Sequence, residues 1–186
     1  MILVITAPSG AGKTTILREL FKLFPGLNFS VSATTRGKRI NETEGKDYYF
    51  ISKEEFQNKI KNDEFVEWEE VHGNYYGTLK TEIEKYLSYT QDLILDVDVK
   101  GALSIKNRYP DSHVFFINVP KEELIKRLKN RKTETDEQIN KRAQRIEFES
   151  GLKNKFDYVI DNSSAPGGLK KAIEEISEII NKIKNK

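Results

Sequence analysis

Along this chain, short runs of consecutive apolar residues alternate with longer segments in which apolar side chains recur every three or four positions. The short runs predict buried strands, and the longer segments predict amphipathic helices. Because strands and helices alternate, we predict an α/β domain with a parallel sheet and helices on both faces. The predicted strands are residues 2–5, 29–32, 92–98, 113–119 and 156–160, and the predicted helices are residues 15–24, 101–106, 121–131, 135–153 and 169–183.

The pattern changes between residues 33 and 88, which contain five of the eight tyrosines and the only tryptophan. Residues 65–71 alternate with period 2, which predicts a strand with one apolar and one acidic face, and residues 72–78 predict a turn and a returning strand. A short strand at 48–51 and a helix over 52–61, opened by a capping box, are predicted before them. The segment therefore predicts a small mixed or antiparallel sheet inserted into the α/β core.

Length and composition restrict the class of protein. A chain of 186 residues suits one compact α/β domain with a small insertion. With 31 basic and 29 acidic residues, the net charge of +2 makes no case for binding nucleic acid or an anionic membrane. The absence of cysteine excludes disulfides, thiolate metal sites and cysteine nucleophiles. Because the first residues enter a strand directly and no apolar run approaches about 20 residues, we expect a soluble cytoplasmic protein. We expect no obligate protein partner.

A glycine-rich loop follows the first predicted strand. Residues 7–14 read APSGAGKT and lead directly into the first predicted helix. This order is typical of P-loop NTPases, in which backbone N–H groups and the helix N-terminus bind phosphate. Lys13 would reach the β- and γ-phosphates, and the Thr14 hydroxyl would ligate Mg²⁺. Ala7 stands where the pattern has its first glycine, and the alternative is an ordinary glycine-rich turn with a surface lysine.

Polar or small residues follow the other predicted strands. Ser32, Asp98 and Asn162 lie at or just past strand ends, as Ala7 does. In parallel α/β sheets, ligands bind at the carboxyl ends of the strands. We therefore expect these positions to converge on one site.

Six motifs spread over the chain resemble the guanylate kinase family in order and spacing. They are residues 7–14, 32–39, 45–48, 64–68, 73–78 and 95–98. The resemblance implies transfer of the γ-phosphoryl of ATP to GMP, giving ADP and GDP, by positioning and electrostatic stabilisation with Mg²⁺. It also implies three parts, and these are a core at 1–32, 89–129 and 139–186, a GMP-binding insertion at 33–88, and a helical lid at 130–138.

By this resemblance, the phosphate of GMP is held within the insertion. Arg36 and Arg39 supply planar, fork-shaped donors to the dianionic phosphate. Tyr48 and Tyr76 add hydroxyl donors, and Ser32 lies beside them. The alternative for the two arginines is a solvated basic loop.

The guanine base has a donor pair, N1–H and N2–H₂, that a carboxylate can accept. Glu67 matches that carboxylate, and Thr78 would donate to guanine O6. The alternative for Glu67 is a surface carboxylate on a strand. Asp96 and Asp98 could hold Mg²⁺ through water or contact GMP. The resemblance favours contact with GMP for both aspartates and does not divide the roles between them. One of the two could instead cap the next helix.

The resemblance also assigns residues to ATP and to catalysis. Arg131 and Arg142 match lid and phosphate-contacting positions, whereas Arg127 and Arg145 are interpreted as surface charges. Asn162 matches a position that contacts adenine, with an asparagine in a turn as the alternative. The resulting ATP-binding set is Ser9, Gly10, Ala11, Gly12, Lys13, Thr14, Thr15, Arg131 and Asn162, and the catalytic set is Lys13, Arg36, Arg131 and Arg142.

Two other functions are compatible with parts of this pattern. A guanylate-kinase-like interaction module would keep the fold and bind protein, but such modules have a degraded phosphate loop, and Lys13 and its glycines are intact here. A kinase for another nucleoside monophosphate is the nearer alternative. Glu67 and Thr78 argue against it.

Overall fold

The computed structural model describes residues 1–71, 73–130 and 136–185. Strands and helices alternate through most of this length, as the apolar pattern predicts. The elements are β1 (Ile2–Thr6), α1 (Lys13–Leu23), β2 (Asn28–Phe29), β3 (Ala33–Thr34), β4 (Tyr49–Phe50), α2 (Lys53–Lys61), β5 (Phe65–Val71), β6 (Asn74–Leu79), α3 (Lys80–Ser88), β7 (Leu93–Val97), α4 (Val99–Arg108), β8 (His113–Asn118), α5 (Lys121–Asn130), α6 (Asp136–Gly151), a short 3-10 helix (Lys153–Lys155), β9 (Tyr158–Asp161) and α7 (Gly168–Lys184).

The central sheet has five strands in the order β2-β7-β1-β8-β9. The outer pairs β2–β7 and β8–β9 are parallel. All five residues of β1 are buried, and so are the four central residues of β8. Continuous burial explains the unbroken apolar runs, because a parallel sheet covered on both faces has no polar side. The predicted α/β class with a parallel central sheet is confirmed.

A second sheet has the order β4-β3-β6-β5. β6 pairs antiparallel with both β3 and β5, and β3 pairs parallel with β4, so this sheet is mixed, as predicted. The predicted alternation of β5 is present, since Glu67 and Trp68 lie on opposite faces, but the face that carries Trp68 is the more exposed one. Trp68 is 46% exposed, whereas Glu67 is partly buried on the other face. The predicted turn includes residue 72, which lies outside the described residues.

Two local predictions differ from the structure. The strand predicted at 29–32 is divided, since Asn28–Phe29 pairs with β7 and Ala33–Thr34 joins the second sheet. The last central-sheet contact here is the Ser30 N–H donating to the Ile94 carbonyl at 3.0 Å, after which the chain changes sheets. Helix α3 was not predicted, because only a few apolar side chains mark its buried face. The N-cap hydrogen bond of the capping box predicted for α2 is present, with Ser52 Oγ accepting from the Glu55 N–H at 3.0 Å.

The chain divides into two compact units. The first comprises Met1–Leu3, Leu27–Leu95 and Lys100–Ser112, and the second comprises Val4–Gly26, Asp96–Val99 and His113–Lys186. In the first unit, the Phe56 ring stacks on Phe65 and Tyr75 with centroids 4.3 and 5.3 Å apart. Among the described residues, no helix is long and apolar enough to cross a membrane.

Candidate functional site

The glycine-rich loop of the second unit connects β1 to α1. Gly12 caps the N-terminus of α1 with φ of +93°, a left-handed conformation that favours glycine. A Cβ atom at Gly12 would lie 2.8 Å from Nδ2 of Asn162, so space also requires glycine there. The first turn of α1 presents backbone N–H groups at the positive end of the helix, which is an arrangement suited to an anion. The Thr15 N–H in this turn donates to the Gly12 carbonyl at 3.1 Å.

Asn162 supports this loop from the end of β9. Its side chain is buried, and Nδ2 donates to the Ala11 carbonyl at 2.8 Å. Its backbone N–H donates to the Asn118 carbonyl at 2.9 Å, which fixes the residue to β8. The amide side chain therefore holds the shape of the loop. Contact between Asn162 and adenine stays a prediction.

Arg127, at the end of α5, is bound to the same loop. Its guanidinium donates to the carbonyl of Asn162 at 3.0 Å and of Gly10 at 3.4 Å, and it pairs with Glu123 at 2.5 Å. Its interpretation as a surface charge is therefore wrong. The tertiary structure places the last turn of α5 beside the loop, which a helical pattern alone does not show.

Lys13 lies where the loop meets the carboxyl end of β7. Its ammonium group is 3.1 Å from the Val97 carbonyl and 3.2 Å from Oδ1 of Asp96. Nearby, Nη1 of Arg142 donates to Oγ of Ser9 at 3.1 Å. The second unit thus brings Lys13 to the carboxyl end of β7 and Arg142 to the glycine-rich loop.

Asp98 lies beyond the end of β7 and is paired with Arg145 of α6, Nη2 to Oδ2, at 2.9 Å. The Nε of Arg145 donates to Oε1 of Glu149 at 2.7 Å. Burial raises the pKa of the Glu149 carboxyl, and the hydrogen bond from Arg145 opposes that shift. Arg145 was also interpreted as a surface charge, and that interpretation is wrong. Its spacing of three residues from Arg142 places both on one helix face, a signal that could have found it.

Arg36 is held in the first unit by a two-pronged ion pair. Nη2 and Nη1 donate to the two oxygens of Glu42 at 2.7 and 3.0 Å, and Nη1 also donates to the Gly37 carbonyl at 2.8 Å. The hydrogen bonds to Glu42 first, and to Tyr76 next, raise the pKa of the Arg36 guanidinium. Arg36 and the Arg39 N–H in turn hold the pKa of Glu42 below its usual range. No role was predicted for Glu42 from the sequence, because the residues of this polar loop do not show that it pairs with Arg36.

The predicted phosphate-binding side chains are partly brought together. The Tyr48 and Tyr76 rings meet edge to face with centroids 6.0 Å apart, and the Arg36 guanidinium lies 5.4 Å from the Tyr48 ring. Arg39 has an exposed side chain, and its N–H donates to Glu42 at 2.9 Å. Ser32 is partly buried and lies in the short segment of chain that connects β2 to β3.

Glu67 and Thr78 face each other across β5 and β6. Thr78 is buried, and its hydroxyl donates to Oε1 of Glu67 at 2.5 Å. The direction follows because an ionised carboxylate only accepts. This hydrogen bond orients the carboxylate, and it also uses the single hydroxyl proton of Thr78. Donation from Thr78 to guanine O6 stays a prediction that requires the proton to turn away from Glu67.

Arg131 and most of the predicted lid lie outside the described residues. An α/β fold in which a buried strand leads through a glycine-rich loop into a helix, with a lysine ammonium held at a strand end, defines a nucleotide-phosphate-binding protein.

Comparison with known proteins narrows this class. The family model described as guanylate kinase matches residues 1–183. Guanylate kinase of Fusobacterium nucleatum is 43% identical over 95% of this chain and 94% of its own length. Guanylate kinase of Thermotoga maritima is 39% identical over 96% of this chain and 85% of its own. The crystal structure of guanylate kinase from Anaplasma phagocytophilum matches with a TM-score of 0.75 and 30% identity, covering 100% of this chain and 87% of that one.

The chain belongs to the guanylate kinase family. The function predicted from its motifs, ATP-dependent phosphorylation of GMP, is confirmed at the level of the family and enzyme class.

Proposed function

We propose that the glycine-rich loop holds ATP and that residues 33–88 hold GMP while the γ-phosphoryl passes to the GMP phosphate. The observation that carries this assignment is the loop itself, in which the left-handed Gly12 opens α1 and Lys13 reaches the end of β7. Core ranges 1–32, 89–129 and 139–186 and a lid at 130–138 belong to the same proposal.

ATP would be bound mainly by backbone donors of the loop. N–H groups of residues 9–15 lie at the positive end of α1, which favours the triphosphate. Those of Ala11 and Thr15 donate to the Pro8 and Gly12 carbonyls at 3.2 and 3.1 Å and would shape the loop. The Lys13 ammonium would shift from Asp96 toward the β- and γ-phosphates and balance the charge that develops during transfer. Arg142, with Arg131, would act on the same oxygens. Asn162 would support the loop and lie near adenine.

The residues around Lys13 fit a magnesium ion bound together with the nucleotide. Among residues 1–71, 73–130 and 136–185, no group of three or more His, Asp or Glu side chains is placed to hold a metal ion. Mg²⁺ commonly takes one or two protein oxygens and completes its shell with phosphates and water. The Thr14 hydroxyl, in the first turn of α1, would be that ligand, with Asp96 nearby. The bound ion would neutralise charge on the phosphates.

The GMP phosphate would be held by Arg36, Arg39, Tyr48 and Tyr76, with Ser32 beside them. The hydrogen bonds from Arg36 to Glu42 and Gly37 fix the plane of its guanidinium, so its remaining N–H groups have a set direction. A phosphate oxygen of GMP is already ionised at neutral pH, so transfer needs no general base. Catalysis would consist of positioning and electrostatic stabilisation.

The base would be read by Glu67. Its carboxylate, oriented by Thr78, would accept from guanine N1–H and N2–H₂. Adenine presents an acceptor at N1, so it would set two acceptors against each other at the side of the carboxylate that faces the base, at a cost of about 1–3 kcal/mol. Asp96 and Asp98 would contribute further acceptors to GMP.

The test is ADP release from ATP and Mg²⁺ with GMP, AMP, UMP and dTMP offered separately. Turnover with GMP about a hundredfold above the others is expected, since two charge-assisted hydrogen bonds distinguish guanine. Turnover with a different acceptor would keep the kinase and reject the role of Glu67. A folded protein that binds GMP without turnover would favour the interaction-module alternative.

A further inference from the structure

Helix α6 contacts two chemically different parts of the second unit. Arg142 donates to Ser9 in the glycine-rich loop, and Arg145 donates to Asp98 beyond β7. The two arginines are three residues apart and therefore share one face of the helix. One rigid element thus links the loop to a carboxylate assigned to GMP.

Arg145 joins two carboxylates. Its side chain is 37% exposed, that of Asp98 is 23% exposed, and that of Glu149 is 6% exposed. Oε1 of Glu149 accepts from Arg145, while Oε2 is buried with no hydrogen-bond partner within the described part of the chain. A buried carboxylate requires a nearby cation. Glu149 therefore fixes the guanidinium at Nε and leaves Nη2 to bind Asp98.

This geometry restricts Asp98 more than a surface ion pair would. A carboxylate on a short side chain can turn about its terminal bond, and each oxygen has two acceptor positions. Arg145 occupies one position on Oδ2 and so sets the plane of the group. With the plane set, the directions of the oxygen lone pairs are set as well.

We propose that Arg145, anchored by Glu149, is a positioning residue that orients Asp98 for GMP. The inference rests on the proposed assignment of Asp98 to GMP. It gives α6 a role in binding the acceptor nucleotide in addition to the contact of Arg142 with the loop. In this role Arg145 acts through Asp98 and needs no contact of its own with GMP.

The test is a double-mutant cycle on the full-length enzyme with the variants Arg145→Gln, Asp98→Asn and their combination. The matched control is Lys141→Gln, because Lys141 lies on the same helix, is exposed and pairs with Glu137 one turn away. The measurements are KM for GMP, KM for ATP and kcat. We expect Arg145→Gln to raise KM for GMP about tenfold, as loss of an orienting charged hydrogen bond would, and to change KM for ATP less than about twofold.

The combination separates positioning from an independent effect. If Arg145 acts through Asp98, adding Arg145→Gln to Asp98→Asn raises KM for GMP no further. Effects that multiply would overturn the inference, as would an unchanged KM for GMP in Arg145→Gln. A lower KM for GMP would also overturn it, because Arg145 would then compete with GMP for Asp98.

Failure of the underlying assignment gives a different result. If Asp98→Asn alone leaves KM for GMP unchanged, Asp98 does not bind GMP and the inference falls with that assignment. Because Arg145→Gln leaves buried Glu149 without its cation, the variant Arg145→Gln/Glu149→Gln is made in parallel to preserve folding. It should show the same rise in KM for GMP, and wild-type GMP affinity in this folded variant would refute the positioning role. Arg145→Lys, which keeps the charge, should recover part of the loss.

Discussion

Glu67→Gln replaces one carboxylate oxygen by an amide NH₂ and leaves the volume of the side chain almost unchanged. The hydrogen bond from Thr78 can persist, because the Gln carbonyl oxygen can accept from the Thr78 hydroxyl as Oε1 of Glu67 does at 2.5 Å. The strands around the site should therefore keep their register, with residue 67 opposite Thr78. The change is confined to what the side chain offers to a base.

The expected loss follows from the pairing with guanine. The carboxylate accepts from both N1–H and N2–H₂ of guanine. The amide of the Glu67→Gln variant has one acceptor and one donor, so one charged hydrogen bond is lost and the amide NH₂ faces an N–H of guanine. A hydrogen bond to a charged group contributes about 1.5–3 kcal/mol, and an unsatisfied donor costs about 1–3 kcal/mol. A combined loss of about 3 kcal/mol lowers kcat/KM for GMP about 150-fold.

Steady-state kinetics with each nucleotide varied in turn measure this loss. KM for ATP should stay within about twofold of wild type, because the change removes contacts to guanine alone. The control is Glu70→Gln, at an exposed position on the opposite face of the same strand, which should behave as wild type. Equal losses for GMP and ATP, or a loss below about threefold for GMP, would refute the base-reading role.

Three further predictions test the loop and the first unit. Lys13→Ala should lower kcat about 100- to 1,000-fold with little change in KM for GMP, because the ammonium group acts on the transferred phosphoryl, as single-turnover rates would show. Gly12→Ala should lower the Tm and raise KM for ATP, since a Cβ atom would lie 2.8 Å from Asn162 at a φ of +93°, at a cost of about 1–3 kcal/mol. Burial, then the adjacent Glu82 carboxylate, raises the pKa of Tyr49 to about 12. Between about pH 10 and pH 12 the Tyr49 hydroxyl therefore keeps its proton in the folded protein and loses it in the unfolded chain, whose tyrosine pKa is about 10. The contribution of Tyr49 to the free energy of unfolding is thus full below about pH 10 and is lost as the pH rises toward about 12. In urea unfolding, Tyr49→Phe should make the free energy of unfolding fall less steeply over this range.

Each of these has a matched control. Lys22→Ala, at an exposed position of α1, should leave kcat unchanged, and near-normal turnover of Lys13→Ala would remove that lysine from catalysis. Gly26→Ala meets nothing within 4 Å, so a similar fall in Tm for both glycine variants would contradict the clash at Gly12. Tyr89→Phe changes an exposed tyrosine. The reasoning about Tyr49 fails if both tyrosine variants follow the wild-type dependence on pH.

Local patterns predicted most of the fold. Runs of apolar residues such as 2–5 and 114–117 are buried on both faces in the central sheet, and Ser52 caps the start of a helix. The glycine-rich loop with Lys13 was identifiable because its function depends on consecutive residues between a strand and a helix. These features are determined over a few neighbouring residues, so the sequence by itself determines them.

The tertiary structure decided which distant side chains meet. Asn162 reaches Ala11 across 151 positions and Arg145 reaches Asp98 across 47, and no periodicity encodes such pairs. The hydrogen bond between Thr78 and Glu67 likewise depends on the register of β5 and β6 and on a bulge near Phe65. The contacts of Arg127 and Arg145 were not predicted from the sequence. A helical pattern shows which residues share a face, but the packing of the helix decides which residues of other elements that face contacts.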